Sequence, residues 1–257
     1  MKSFNRLAIV FLLLTATVSL QAQDTVNVTD SKGLKQGFWR KVNDEKQVVY
    51  EGRFANDKPV GDFRYFYPEG KLKTLVKYTS GSDETPSVSY HTNGKKMAEG
   101  LYRQKQKTGE WRYYNDLEIL MSEEFYDNGV PVGTWQNYYD DGKLLEVFSW
   151  KNGLKEGAWT QYFTDGSIRM TAAYVAGKLE GEVKYYYPNG DLMMIGEYLH
   201  DAKDGIWTSF KEGGAAEVTT VYSKGKMLQQ TFHDKAREEQ LRQDDMPKDA
   251  QPGEKME

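Results

Sequence analysis

A glycine recurs every 24 residues along most of this chain, at Gly37, Gly61, Gly109, Gly133, Gly157, Gly181 and Gly205. The 48-residue gap between Gly61 and Gly109 places a degenerate copy at Thr85, so eight copies of one unit run in register without an insertion. Counting the opener as position 0, position 2 is aromatic in six copies, as Trp39, Phe63, Trp111, Trp135, Trp159 and Trp207, with Ser87 and Val183 as departures. Position 5 reads Val42, Phe66, Tyr90, Tyr114, Tyr138, Tyr162, Tyr186 and Phe210. Position 9 is a glycine at Gly70, Gly94, Gly142, Gly166, Gly190 and Gly214, and position 17 is aromatic in every copy, from Phe54 to Tyr222. Self-similarity at a fixed period marks a repeat array, in which each unit packs on its neighbours, rather than one conventional core.

Within a unit, Glu182–Tyr187 is rich in the aromatic and β-branched residues that suit a pleated strand. Pro188-Asn189-Gly190 is turn chemistry, because proline presets φ and glycine takes a positive φ without a clash. Asp191–Tyr198 reads as a second strand, followed by a looser turn to Gly205. One unit is thus one β-hairpin. The fourth copy has Glu118 where the turn glycine is expected, which predicts a different turn there. The fold expected is all-β: an elongated antiparallel meander of about eight stacked 24-residue hairpins. Sixteen strands at ~4.8 Å spacing would extend roughly 75 Å.

Side chains alternate across a strand. Position 2 therefore shares a face with positions 4 and 6, while position 5 points away. By the same parity Leu72, Leu120, Leu144, Ile168 and Leu192, six residues before the position-17 aromatics, fall on their face, and aromatics occupy both faces unless a bulge intervenes.

The two ends differ from the array. A charged start with Lys2 and Arg6, an apolar run from Leu7 to Leu20 and the small-residue site before Gln23 predict a signal peptide over 1–22. The run is shorter than the ~20 residues a spanning helix needs, and no cysteine follows it for lipidation. A polar lead covers 23–32, the repeats cover 33–232, and the charged tail 233–257 is expected to be disordered. The chain is therefore expected to be exported, to the periplasm, the envelope or the medium, with no transmembrane segment after signal removal.

Without any cysteine there is no disulfide framework and no thiol nucleophile. The mature chain carries 32 basic against 38 acidic residues, a formal charge of −6, which excludes the basic stripe that nucleic acid requires and suits an anionic membrane poorly.

The pattern Gly-x-Trp-x-x-Tyr-Tyr-x-x-Gly-x-Leu followed by Tyr-x-x-Gly-x-x-x-Gly resembles the MORN repeat, in the variant form common in bacterial exported and antitoxin-like proteins. Gly133–Gly157 and Gly157–Gly181 carry it most fully, while the third copy lacks the opening Gly and Trp and the fourth lacks the turn Gly. The resemblance implies an elongated sheet of hairpins serving as a binding or scaffolding surface.

Signs of chemistry are sparse. His91, His200 and His233 stand in separate turns and at the tail boundary, and no nucleophile elbow or His-Glu-x-x-His pair accompanies them. Asp140-Asp141 is a turn and Glu123-Glu124 faces two ways along a strand, so neither forms a facing carboxylate pair. No catalytic residue, cofactor or metal ligand is expected. The register-locked tryptophans are expected to stack between repeats. Aromatics that vary among copies, Tyr65, Tyr113 and Tyr185 at position 4 and Tyr67, Tyr139, Phe163 and Tyr187 at position 6, are the candidate binding surface. The function expected is non-enzymatic protein binding or scaffolding, in an immunity- or antitoxin-like form. The alternative is a module binding envelope polysaccharide through surface aromatics.

Overall fold

The computed structural model describes residues 26–234, all of it strands and turns; the segment read as a signal peptide, 1–22, and all but the first two residues of the charged segment 233–257 lie outside the described residues. The strands are β1 (Val28–Thr29), β2 (Lys35–Val42), β3 (Val48–Ala55), β4 (Lys58–Phe66), β5 (Leu72–Tyr78) and β6 (Glu84–Tyr90). Next come β7 (Lys96–Arg103), β8 (Gln106–Tyr114), β9 (Leu120–Asp127), β10 (Val130–Tyr138), β11 (Leu144–Lys151) and β12 (Leu154–Tyr162). The last are β13 (Ile168–Val175), β14 (Lys178–Leu179), β15 (Gly181–Tyr186), β16 (Leu192–Leu199), β17 (Ala202–Phe210), β18 (Ala216–Ser223) and β19 (Lys226–Phe232).

Each strand pairs antiparallel with the next, except that β14 and β15, two parts of one interrupted strand, both pair with β13, and the substantial contacts follow these pairings. β1 pairs with β2 and β19 with β18, and these two end strands do not meet, so the sheet is an open meander. The eight hairpins anticipated from the period are present. Two features extend them: β1 lies within the segment read as a polar lead, and β19 follows the last hairpin as the opening half of another unit.

Two kinds of turn alternate. Within a unit, the position-9 N–H donates to the position-6 carbonyl, as from Gly190 to Tyr187 at 2.9 Å, with position 9 in the left-handed region. The fourth copy keeps this turn, against the expectation from its missing glycine. Glu118 takes φ 66°, and its N–H donates to the Asn115 carbonyl at 2.9 Å. Lys46 does the same at φ 65° in the first copy. Both copies carry an asparagine at position 6, and its Oδ1 accepts from the position-10 N–H, Gln47 to Asn43 at 2.8 Å and Ile119 to Asn115 at 2.9 Å. That side-chain bond holds the turn where glycine is absent. The left-handed backbone still costs a non-glycine residue about 1–2 kcal/mol. Glu118→Gly is accordingly expected to raise stability by about 0.5–1 kcal/mol, after the entropy glycine adds to the unfolded chain. Chemical denaturation would show it as a higher midpoint at unchanged slope.

Between units the turns are tighter than the sequence suggests. Pairs of consecutive residues take positive φ at Asn56-Asp57, Gln104-Lys105, Asn128-Gly129, Asn152-Gly153, Ala176-Gly177, His200-Asp201 and Lys224-Gly225. This is the two-residue turn whose twist matches that of the flanking strands. The joint between the second and third copies departs from it. There only Gly81 has positive φ, the Ser82 N–H donates to Thr79, and β5 pairs with β6 over three residues alone.

The opener glycine makes an excursion in the sheet. On β16, Ile195 pairs with Thr208 and Glu197 with Asp204, so Gly205, Ile206 and Trp207 stand opposite Gly196 alone. Gly205 at φ 66° permits the detour, which lays the Trp207 indole over Gly196. Phe63 over Gly52 and Trp111 over Gly100 repeat the arrangement. The indole N–H then reaches the carbonyl beside the excursion: Trp207 to Glu197 at 3.1 Å, Trp111 to Leu101 at 3.0 Å and Trp135 to Phe125 at 3.1 Å. A backbone acceptor displaced from the ladder is thereby satisfied.

A second irregularity corrects the parity argument. In each hairpin the pairing shifts between positions 4 and 5, so Tyr186 pairs with Leu192 while Tyr185 pairs with Met194. Leu72, Leu120, Leu144, Ile168 and Leu192 consequently share a face with the position-5 residues they pair with, not with the position-17 aromatics. Positions 2, 4, 13, 15 and 17 form the inner face, and all buried residues except Thr108 lie on it.

Candidate binding site

Rings tile the inner face along the array. Each position-2 ring lies against position-17 rings, its own or the preceding copy's. Trp207 meets Tyr198 edge-on at 5.2 Å and Tyr222 at 6.2 Å, and Phe63 meets Phe54 at 5.1 Å and Tyr78 at 5.5 Å. Lysines two residues before the opener cover several of them, Lys203 lying 4.1 Å from the Trp207 ring centroid and Lys107 5.0 Å from that of Trp111. Such placements are attractive through the ring quadrupole.

The tiling breaks at the third copy. Position 2 is Ser87 and position 4 is Ser89, so neither carries a ring. Thr85 replaces the opener glycine and makes no excursion, and Ser87 pairs directly with Val76. Ser87 is nevertheless 4% exposed. Above it opens a cavity of about 590 Å³, lined by Tyr65, Tyr78 and Tyr102 and by the hydroxyls of Thr74, Thr85, Ser87 and Ser89, with Lys73 and Lys105 also contributing. Its volume lies within the range of small-molecule and side-chain pockets. The Thr74 and Ser89 hydroxyls are 3.1 Å apart and satisfy each other.

The structure separates the aromatics that sequence reasoning grouped together. At position 4, Tyr65, Tyr113 and Tyr185 lie on the inner face, where their hydroxyls meet those of Tyr78, Tyr126 and Tyr198. At position 6, the aromatics stand at the turns and link hairpins. The hydroxyls of Tyr67, Tyr139 and Tyr187 donate to the carbonyls of Tyr90, Tyr162 and Phe210 in the next copy, at 2.8, 2.7 and 2.8 Å. His91 takes the same place in the third copy, its Nε2–H donating to the Tyr114 carbonyl at 2.9 Å. Phe163 has no hydroxyl for the link. Of the seven candidates, only Tyr65 lines the cavity. Ser87, Ser89, Tyr78, Tyr102 and Lys105 were not singled out as binding residues, and the signal for them was the departure of the third copy itself. Tyr139→Phe is expected to cost about 0.5–1.5 kcal/mol, the net worth of one hydrogen bond, read from a lower denaturation midpoint.

The titratable groups are engaged in the fold. His200 Nδ1 lies 3.1 Å from Glu180 Oε2, and His233 Nε2 lies 2.9 Å from the Thr219 hydroxyl. Asp141 accepts the Lys143 N–H at 3.1 Å in its turn. Burial raises the Glu146 carboxyl, but hydrogen bonds from Asn137, Trp159 and Gln161 and the nearby Lys155 outweigh it and hold it below the ordinary value. Among the described residues no group of three or more His, Cys, Asp or Glu side chains is gathered to hold a metal. No helix there is long and apolar enough to cross a membrane.

Tyrosines of the array are shifted upward. Burial, followed by the hydrogen bond to Glu99, pushes Tyr114 up to about 12. Burial and Glu123 do the same for Tyr138, to about 12, and burial with Tyr198 raises Tyr185 to about 12. A phenol is charged when deprotonated, so above its unfolded value of 10 the unfolded chain ionises while these groups stay neutral in the fold. Their contribution is complete below that pH and falls as pH rises toward 12. Phenolate absorbance is expected to show a late-titrating class of tyrosines that joins the ordinary class on unfolding; a single ordinary titration in the native protein would refute the placement.

Comparison with known proteins bears on the repeat. The model of the family described as "MORN repeat variant" matches residues 59–79, 131–152 and 179–200. Each matched segment covers one hairpin, β4–β5, β10–β11 and β14–β16. No curated protein matches. Solved structures similar to the chain include one described as TcdB2-TccC3-TEV, at 11% identity over 71% of this chain and 13% of that one, with a TM-score of 0.18. Another, described as TcdB2-TccC3-Cdc42, shows 12% identity over 78% of this chain and 13% of that one, with a TM-score of 0.19. The chain thus spans 13% of the length of either structure, and scores this low carry no argument. Repeats of the matched family are modules for binding proteins or membranes. Three hairpins of the array thus match the MORN repeat variant, and the remaining copies hold the same register.

Proposed function

We propose that this chain is a non-enzymatic exported protein whose hairpin array binds another protein along its inner face. The observation that carries this reading is the cavity at the third copy, an opening in a face that six copies close with a position-2 ring and the seventh with Val183. Protein partners are anchored by a few side chains seated in pockets of this kind, and aromatic walls with hydroxyl groups suit such contacts. The signal-like segment over 1–22 supports export. The net negative charge argues against anionic membranes as the target. An immunity- or antitoxin-like pairing, in which the array holds another exported protein, is the finer form of the same reading.

In-cell cross-linking of the tagged mature chain, followed by mass spectrometry, tests this. One abundant protein partner, lost from a folded Tyr65→Ala variant, is the expected result. Retention on purified envelope polysaccharide without a protein partner would overturn the reading in favour of glycan binding.

A further inference from the structure

Six of the eight copies seat their own aromatic ring at position 2, and the third copy has a serine there. The other copies show what such a seat holds. A position-2 ring lies between the position-17 ring of the preceding copy and its own, as Phe63 lies between Phe54 and Tyr78 and Trp207 between Tyr198 and Tyr222. At the third copy those flanking rings are Tyr78 and Tyr102, and both line the cavity. The backbone is also of a kind that accepts a ring. Ser87 pairs directly with Val76, as Trp159 pairs with Phe148 at the same two positions, though the Trp159 strand makes the opener excursion and the Ser87 strand does not.

We infer that the third copy receives an aromatic side chain from a partner protein, which completes the row of rings from outside the chain. This rests on the protein-binding reading above and adds the occupant. The walls include the rings of Tyr65, Tyr78 and Tyr102, which suit an indole or phenyl group because aromatic pairs attract beyond the area they bury. The hydroxyls of Ser87 and Ser89 offer polar contacts to an indole N–H. Lys73 and Lys105 at the cavity give it a positive margin, so an acidic residue beside the partner's ring complements the site. The second departure at position 2, Val183, makes no such opening. It is 1% exposed and packs with Met170 and Trp207, so its ring is replaced by a filled core.

The test titrates the full mature chain with the probe N-acetyl-Glu-Trp-amide and, separately, with N-acetylglucosamine, using saturation-transfer NMR. Ser87→Trp plugs the cavity with the chain's own ring, and Ser87→Leu is a smaller plug should the tryptophan prevent folding; circular dichroism checks both. Saturable binding of the dipeptide to the native chain, weakened at least tenfold by a folded plug variant, is the expected result. Absence of dipeptide binding, binding undiminished by the plug, or plug-sensitive binding of the sugar in its place would each overturn the inference. The plug variant also enters the cross-linking experiment. A partner still captured by it would sink the assigned cavity while leaving protein binding standing, whereas no protein partner for the native chain would sink both.

Discussion

Trp207→Ala is expected to lower the stability of the array by about 3–5 kcal/mol, the usual cost of truncating a buried tryptophan. The indole is 3% exposed and sits in a cluster of mutually packed buried residues, with Met170 and Val183. Partly buried Trp159, Tyr185, Met194, Tyr198 and Tyr222 surround that cluster, so truncation opens a space that several neighbours border. The Glu197 carbonyl also loses the indole N–H that donates to it at 3.1 Å. Trp207→Phe separates the two effects, since it keeps most of the ring and removes the donor. It is expected to cost about 1–3 kcal/mol, set mainly by the unpaired carbonyl. Urea denaturation followed by far-UV circular dichroism reads both variants. A cost under about 1 kcal/mol for the alanine would mean that the ring does not hold adjacent hairpins together.

Gly196→Ala is expected to cost about 1–3 kcal/mol through overpacking, the reverse of what propensity predicts. In a strand interior alanine ordinarily gains roughly 0.5–1 kcal/mol over glycine. Here an added Cβ would fall 2.2 Å from the Trp207 ring, far inside contact distance. Gly52 and Gly100 present the same obstacle, at 2.3 Å from Phe63 and 2.4 Å from Trp111. The cause is a particular ring, so the penalty should vanish in the Trp207→Ala background, where the double variant is no less stable than Trp207→Ala alone. Additive losses would place the cost in the backbone of β16 instead.

The period told most of the architecture before any coordinates. Two strands per unit, turns at position 9 and neighbour-only packing all follow from residue types at a fixed spacing. What the pattern could not carry was the count of residues on each side of an irregular pair. Leu192 was assigned by parity to the face of Tyr198, and one shift of register in the hairpin moves it to the other. Glu118 looked like a lost turn because glycine is the usual left-handed residue; Asn115, three residues earlier, supplies the bond that keeps it. Of the candidate site, the departing residue Ser87 was visible as a broken register. That its absence of a ring leaves a cavity between Tyr78 and Tyr102 depends on how adjacent copies lean on each other, which no single unit records. The links made by the position-6 tyrosines were hidden for the same reason, since their hydroxyls bond to the next copy.

Native-state hydrogen exchange, resolved by peptide, tests most directly the claim that inner-face rings hold the array together and that the third copy lacks its own. The seam between β5 and β6 has three paired residues, a longer joint and no ring at position 2. The seam between β16 and β17 has Trp207 lodged over Gly196. Local openings track local packing. The account predicts that, among interior seams, amides of β5 and β6 exchange first, and that Ser87→Trp slows them while leaving β16–β18 unchanged. Protection at β5–β6 equal to that at β16–β17, and unaltered by the added ring, would contradict it.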